Sequence, residues 1–242
     1  MKIQFILLVS LAISMSLPGQ NTSKTDNNFL TRKEVKQGWM LLFDGHSLNG
    51  WKGYNSEQVF SCWSVANGEL ICKGEGGSET AGDIITDSEF GDFELSIDWK
   101  IANQGNSGIF YHVIEGAAYQ AAYETGPEYQ LIDDAGWPDK LAGWQTSGAD
   151  YCMYPPNKNK ILKPAGEWNH TCIIYNKHQV RYWLNGKKIV EFMAYSPDWQ
   201  QKKSLSKWKD YPGYAISEKG KIGLQNHGSG VEFRNIKIRK LD

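Results

Sequence analysis

The chain has little net charge: 26 Lys and Arg stand against 27 Asp and Glu in 242 residues, leaving −1. That balance argues against nucleic acid, which wants a basic face. No Lys/Arg run offers an anchor for anionic lipid. Cysteine is scarce, with four in all. None of Cys62, Cys72, Cys152 and Cys172 falls in paired C-x-x-C spacing, which argues against a zinc site. There is no G-x-S-x-G elbow, no P-loop and no E-x-D-x-E strand, so three common catalytic signatures are missing. Internal repeats and a second-domain linker are also absent, and no apolar run beyond Leu17 is long enough to span a membrane.

The apolar run from Ile3 to Leu17 follows Met1-Lys2 and ends at Pro18-Gly19. It is short for a transmembrane helix and has the charged start of a secretory signal peptide. The expected organisation is a signal peptide over 1–19, a flexible leader over 20–37, and one domain over 38–242. The expected location is periplasmic or secreted, with no membrane anchor after cleavage. In that oxidising setting an even cysteine count invites disulfides. The turn Asn67-Gly68 places Trp63 opposite Cys72 and Val65 opposite Leu70 on one apolar face. The same alternation puts Cys62 on the other face, so a Cys62–Cys72 bridge is not expected. A Cys152–Cys172 bridge is left open.

What the chain has in abundance is aromatic and glycine residues, with 10 Trp, 12 Tyr and 25 Gly. Period-two alternation dominates the pattern. The run 93–99 is the cleanest strand, with Phe93, Leu95, Ile97 and Trp99 on one face. Further strands are expected over 108–114, 129–132, 171–175, 221–225 and 231–238. Strands 180–184 and 187–192 form a hairpin about Asn185-Gly186. A parity slip between Phe233 and Ile236 predicts a bulge at Arg234-Asn235, which would re-aim Arg234. One short helix is expected over 197–208, with Ser196 as N-cap and Pro197 at the first helical position. Many short strands with Gly-rich turns imply an all-β sandwich or jelly roll. The long stretch 135–164 has little regular pattern, a frequent mark of a functional loop.

Polar residues at strand positions and strand ends form the candidate site. Glu128, Gln130 and Ile132 share one face of their strand, and Asp133 ends it. Asn106-Ser107-Gly108 opens another strand, Gln225-Asn226-His227-Gly228 closes a third, and Arg234 follows on the next. His112, His170 and the pair Glu94 and Asp98 are taken as structural or solvated residues.

These pieces, in order, resemble the 3-keto-disaccharide hydrolase domain family. The matching segments run from Gly38-Trp39 and Leu42-Phe43-Asp44-Gly45 through Asn106-Ser107-Gly108, Glu128-Tyr129-Gln130 and Ser147-Gly148-Ala149. They continue through Gly166-Glu167-Trp168-Asn169, Ser206-Lys207-Trp208, Gln225 with His227-Gly228, and Phe233-Arg234-Asn235. His112 departs from the family, which carries Arg there in many members. The resemblance implies a concanavalin A-like jelly-roll fold and a carbohydrate substrate, a glycoside oxidised at C3. A C3 ketone acidifies the C2 proton, so one base can start loss of the C1 aglycone. Glu128 or His227 would be the base, with Glu128 leading because a strand fixes it beside Gln130; His227 is the alternative or the acid, and Asp133 is a further catalytic candidate. Lys163, Arg234 or a divalent metal ion would stabilise the enolate; no motif demands a cofactor. Asn106, Ser107, Gln130, Asn169 and Gln225 would bind hydroxyls, and Trp137, Trp144 and Tyr151 would stack on the sugar. An ordinary glycoside hydrolase and a non-catalytic carbohydrate-binding module are the competing readings.

Overall fold

The structure, a computed structural model, describes residues 27–74 and 82–241. The expected signal peptide lies outside the described residues. Two antiparallel sheets face each other. The larger has eight strands: β1 (Met40–Leu41), β3 (Trp63–Ala66), β4 (Glu69–Cys72), β6 (Phe93–Ile101), β9 (Asn169–Asn176), β10 (Gln179–Leu184), β11 (Lys187–Met193) and β13 (Val231–Lys240). Its order is β11-β10-β9-β6-β13-β4-β3, with β1 pairing the far end of β13. The smaller has five strands: β2 (Trp51–Gly53), β5 (Ile84–Phe90), β7 (Asn106–Val113), β8 (Glu128–Ile132) and β12 (Gly220–Leu224), ordered β2-β5-β12-β7-β8. The chain is the all-β, concanavalin A-like jelly-roll sandwich expected from the sequence.

Alternation decides which side of each strand enters the core. On β6, Phe93, Leu95, Ile97 and Trp99 are sealed between the sheets. Glu94 and Lys100 point outward and pair with Arg239 and Glu232. The β3–β4 hairpin turns through Asn67 and Gly68, both at positive φ, as a two-residue turn between twisted strands demands. Its register is the expected one, Trp63 opposite Cys72 and Val65 opposite Leu70. Cys62 departs from the expectation. It lies in the turn before β3, free of the strand's parity, and its buried thiol turns to the core side within hydrogen-bonding reach of the Cys72 thiol. All four cysteines are free thiols.

The bulge in β13 is present: its register against β6 shifts between Arg234 and Lys237, and Asn235 sits at φ 52. Asn235 exchanges two hydrogen bonds with Asn28, at 2.7 and 2.8 Å. The stretch expected to be a flexible leader thus docks on the large sheet from Asn27 on, and it includes a helix, α1 (Arg32–Lys36), closed by a Thr31–Glu34 capping box. The helix α2 (Pro197–Leu205) is capped by Ser196, whose hydroxyl accepts from Trp199 N. It stops three residues before the expected end because Ser206 is extended. Ser206 then caps a separate 3-10 turn over Lys207–Asp210, its hydroxyl accepting from Trp208 N at 3.2 Å.

The stretch 135–164 is not structureless. Residues 148–151 run beside β8, with Gly148 N donating to Gln130 O, Gln130 N to Ala149 O and Tyr151 N to Glu128 O. These bonds satisfy the outer edge of β8 and seat Tyr151 next to Glu128. Among the described residues no helix is long and apolar enough to cross a membrane.

Candidate active site

On β8, Tyr129 and Leu131 face the core, so Glu128 and Gln130 face the other side of the five-stranded sheet. There they meet Asn106 at the start of β7 and Gln225 and His227 just after β12. Tyr151 walls one side, and Tyr123, Lys207 and Tyr211 complete a cavity of about 290 Å³. The residues come from two neighbouring strands and four connections, so the sheet fixes the floor and the loops fix the walls. Larger hollows of about 810 and 530 Å³ lie elsewhere, at the Asn28 strap and beside Lys100. In the first, Asp44 is bound by the backbone of His46 and Ser47, and in the second Lys100 pairs with Glu232, so neither presents a buried acid like Glu128.

The floor is arranged around Glu128. Its side chain is 3% exposed, and among the described residues its carboxyl finds no hydrogen-bond partner. It fits because Gly108, the diagonal neighbour on β7, has no side chain: a Cβ there would stand 2.3 Å from Glu128 Oε1. Burial pushes the Glu128 carboxyl up to about 8, offset in part by the positive charge of Lys207; the buried Asp83 and Asp150 carboxyls raise it further. Beside it, Gln130 Nε2 donates to Asn106 Oδ1 at 3.0 Å. Gln225 Oε1 is buried and unpartnered among the described residues, an acceptor waiting for a donor. The backbone of this segment is pinned by Ser107, whose hydroxyl donates to Gln225 O at 2.8 Å. Asp83 Oδ1 accepts from Asn226 N at 2.9 Å and so fixes the turn that carries His227.

The walls are aromatic. Trp208 Nε1 donates to Tyr151 O at 3.0 Å, and Trp208 stacks on Tyr214 with centroids 4.1 Å apart. Lys207 Nζ stands 5.1, 4.7 and 4.5 Å from the ring centroids of Tyr123, Tyr151 and Trp208. Trp144 meets Tyr151 edge-on at 5.6 Å, one layer behind the cavity wall.

The structure therefore brings together Asn106, Glu128, Gln130, Tyr151, Gln225 and His227, with Ser107 as a buried support. Other expected site residues lie elsewhere. Asp133 accepts from the backbone of Gln104 and Gly136 and closes a turn. It shares a separate cavity of about 160 Å³ with Lys163. Asn169 serves the backbone on either side of Lys163, and Trp137 sits on the turn after Asp133. Arg234 stacks 3.9 Å above Trp168 on the larger sheet, with Nε 3.6 Å from Asp98. The bulge re-aims its neighbourhood toward Asp98 and not toward Glu128. His112 is buried against Tyr175 and bonds Gly91 O; burial holds it down at about 4. His170 bonds Asp98 at 2.7 Å. Tyr123, Lys207 and Tyr211 were missed as site residues. In the sequence, Lys207 is marked only by the Ser206-Lys207-Trp208 segment of the resemblance.

Among the described residues no three His, Cys, Asp or Glu side chains gather closely enough to hold a metal ion. Chemically, the described residues of the cavity offer one buried acid, one imidazole, one ammonium, amides for hydroxyls and aromatic faces. Such a set suits a neutral, hydroxyl-rich, partly apolar ligand.

The sequence profile described as a 3-keto-alpha-glucoside-1,2-lyase-like domain matches residues 38–239. A curated relative from Bacteroides thetaiotaomicron named 3-keto-disaccharide hydrolase is 32% identical over 229 residues, spanning 85% of this chain and 79% of its own. A crystal structure from Parabacteroides distasonis, provisionally described as a glycosyl hydrolase, superposes with a TM-score of 0.84 at 42% identity, covering 90% of this chain and 100% of that one. A second structure from that organism, described likewise, gives a TM-score of 0.62 at 30% identity, covering 84% and 99%.

Proposed function

The chain belongs to the 3-keto-alpha-glucoside-1,2-lyase-like domain family, and from that premise we propose that it cleaves glycosides already oxidised at C3. The observation that carries this reading is the lone carboxyl. Among the described residues lining the cavity, Glu128 is the only acid. An ordinary glycosidase needs two carboxyl groups about 5–10 Å apart across the bond. Asp83 is tied to Asn226 N, and Asp150 is bound by Tyr182 in the core at 2.9 Å; neither lines the cavity. A 3-keto substrate brings its own activation and needs one base.

In this reading Glu128 takes the C2 proton. The C–H electrons form the enolate, which collapses as the C1–O bond breaks. The departing aglycone oxygen takes a proton from His227 or from the newly protonated Glu128. Water then adds across C1=C2, hydroxyl to C1 and proton to C2, so the net reaction is hydrolysis to a 3-keto sugar and an alcohol. Gln130, Asn106 and Gln225 hold hydroxyls, and the Tyr123 and Tyr151 rings pack on the apolar faces of the sugar. A buried acid with no hydrogen-bond partner among the described residues also favours catalysis over mere sugar binding, since such a group costs stability and suits a site where a pKa near neutrality is useful. We further propose, on the apolar run Ile3–Leu17 behind Lys2, that the enzyme acts after export, in the periplasm or outside the cell.

The test is incubation of the protein with matched disaccharides, one oxidised at C3 and one not. Aglycone should be released from the first alone, and Glu128→Gln should lose at least about 100-fold of that rate. Equal release from the unoxidised sugar would return the ordinary glycosidase reading.

A further inference from the structure

Removing a C2 proton puts negative charge on the C3 oxygen, and that charge needs a positive or hydrogen-bond-donating partner. The expected partners Lys163 and Arg234 stand outside the cavity. Lys207 stands at its rim. The break after α2 places it at the first position of the 3-10 turn, fixed by the Ser206 cap. Its ammonium lies within 5.1 Å of three ring centroids, those of Tyr123, Tyr151 and Trp208. Aromatic faces attract a cation and restrict its rotamers without neutralising it. No carboxylate of the described residues pairs with Lys207 within 4.0 Å. Its charge acts on Glu128 across the cavity, yet the two form no ion pair. A sugar lying between acid and ammonium would turn its C2–H toward Glu128 and its C3 oxygen toward Lys207.

We propose that Lys207 is a catalytic residue that hydrogen-bonds the C3 oxygen and carries its negative charge through the enolate; this rests on the keto-sugar reading above. The C2–H electron pair becomes the C2–C3 double bond, and the carbonyl pair moves onto the C3 oxygen beside the ammonium. When the C1–O bond breaks, the carbonyl re-forms and Lys207 is left as it began, protonated.

Lys207 is exposed, so Lys207→Met and Lys207→Arg should fold; thermal melts check this. On a 3-keto-disaccharide, Lys207→Met should lose about 100-fold or more in kcat with a small change in KM, and Lys207→Arg should recover part of the loss. In Lys207→Met the limb of the kcat/KM profile governed by Glu128 should also move to higher pH, because a positive charge that favoured the carboxylate is gone. Turnover by Lys207→Met within about threefold of wild type overturns the proposal, as does a loss confined to KM. A wild-type protein that leaves the 3-keto sugar intact instead overturns the keto-sugar reading itself.

Discussion

Replacing Glu128 by Gln should make the protein more stable while removing its activity, and the gain should grow with pH. The Glu128 carboxyl is held at about 8 in the fold against 4.5 for the free group. Between those values the folded state binds more protons than the unfolded state, so stability falls as pH rises. At about 1.36 kcal/mol per pKa unit, the penalty is about 1 kcal/mol at pH 5 and about 3 at pH 7, levelling off above pH 8. Gln keeps the shape and has no proton to lose. Asp83 and Asp150, also raised to about 7 by burial, remain in both proteins and cancel in the difference to first order. Urea unfolding of both proteins at pH 5, 6, 7 and 8 should therefore show a gap that widens by about 2 kcal/mol from pH 5 to 7. In thermal melts this is about 4–8 °C for a domain of this size. A gap independent of pH would mean that burial does not raise the Glu128 carboxyl.

Gly108→Ala should abolish turnover by at least about 100-fold, since its methyl would stand 2.3 Å from Glu128 Oε1; a melt changed by no more than about 2 kcal/mol would locate the damage in the site. Trp63→Ala should cost about 3–5 kcal/mol in urea unfolding, because Trp63 is 4% exposed and stacks on Phe233; a loss below about 1 kcal/mol would contradict its place in the core. Arg234→Ala and Lys163→Ala should keep kcat/KM within about twofold of wild type, as both lie outside the cavity; a hundredfold loss in either would mean that the site extends to the larger sheet or the Asp133 turn.

Strand parity made much of this legible. The alternation at Phe93–Trp99 and the Asn-Gly turns at 67–68 and 185–186 gave strands, faces and register directly. The same rule put Glu128 and Gln130 on one face, where they are found. β5 escaped notice because Ile84, Ile85 and Thr86 are buried in succession and three exposed residues follow, so no alternation marks it. Parity also says which face of a strand a residue takes, but not which sheet the strand joins. Strand position groups Arg234 with Glu128 and the resemblance adds Asn169, although their strands lie in the larger sheet. Cys62 failed for a related reason: one residue before the strand begins, alternation has no hold. Lys207, Tyr123 and Tyr211 reach the site through 3-10 turns and loops. Their positions depend on the chain's path around the sandwich, which local pattern does not encode.

The central claim is that the protein removes the C2 proton of a 3-keto glycoside. A 3-keto-disaccharide deuterated at C2, turned over in ordinary water, tests it most directly. The account predicts product that has lost the C2 deuterium, together with a primary isotope effect on aglycone release where proton removal limits the rate. Product that keeps its C2 deuterium would contradict it.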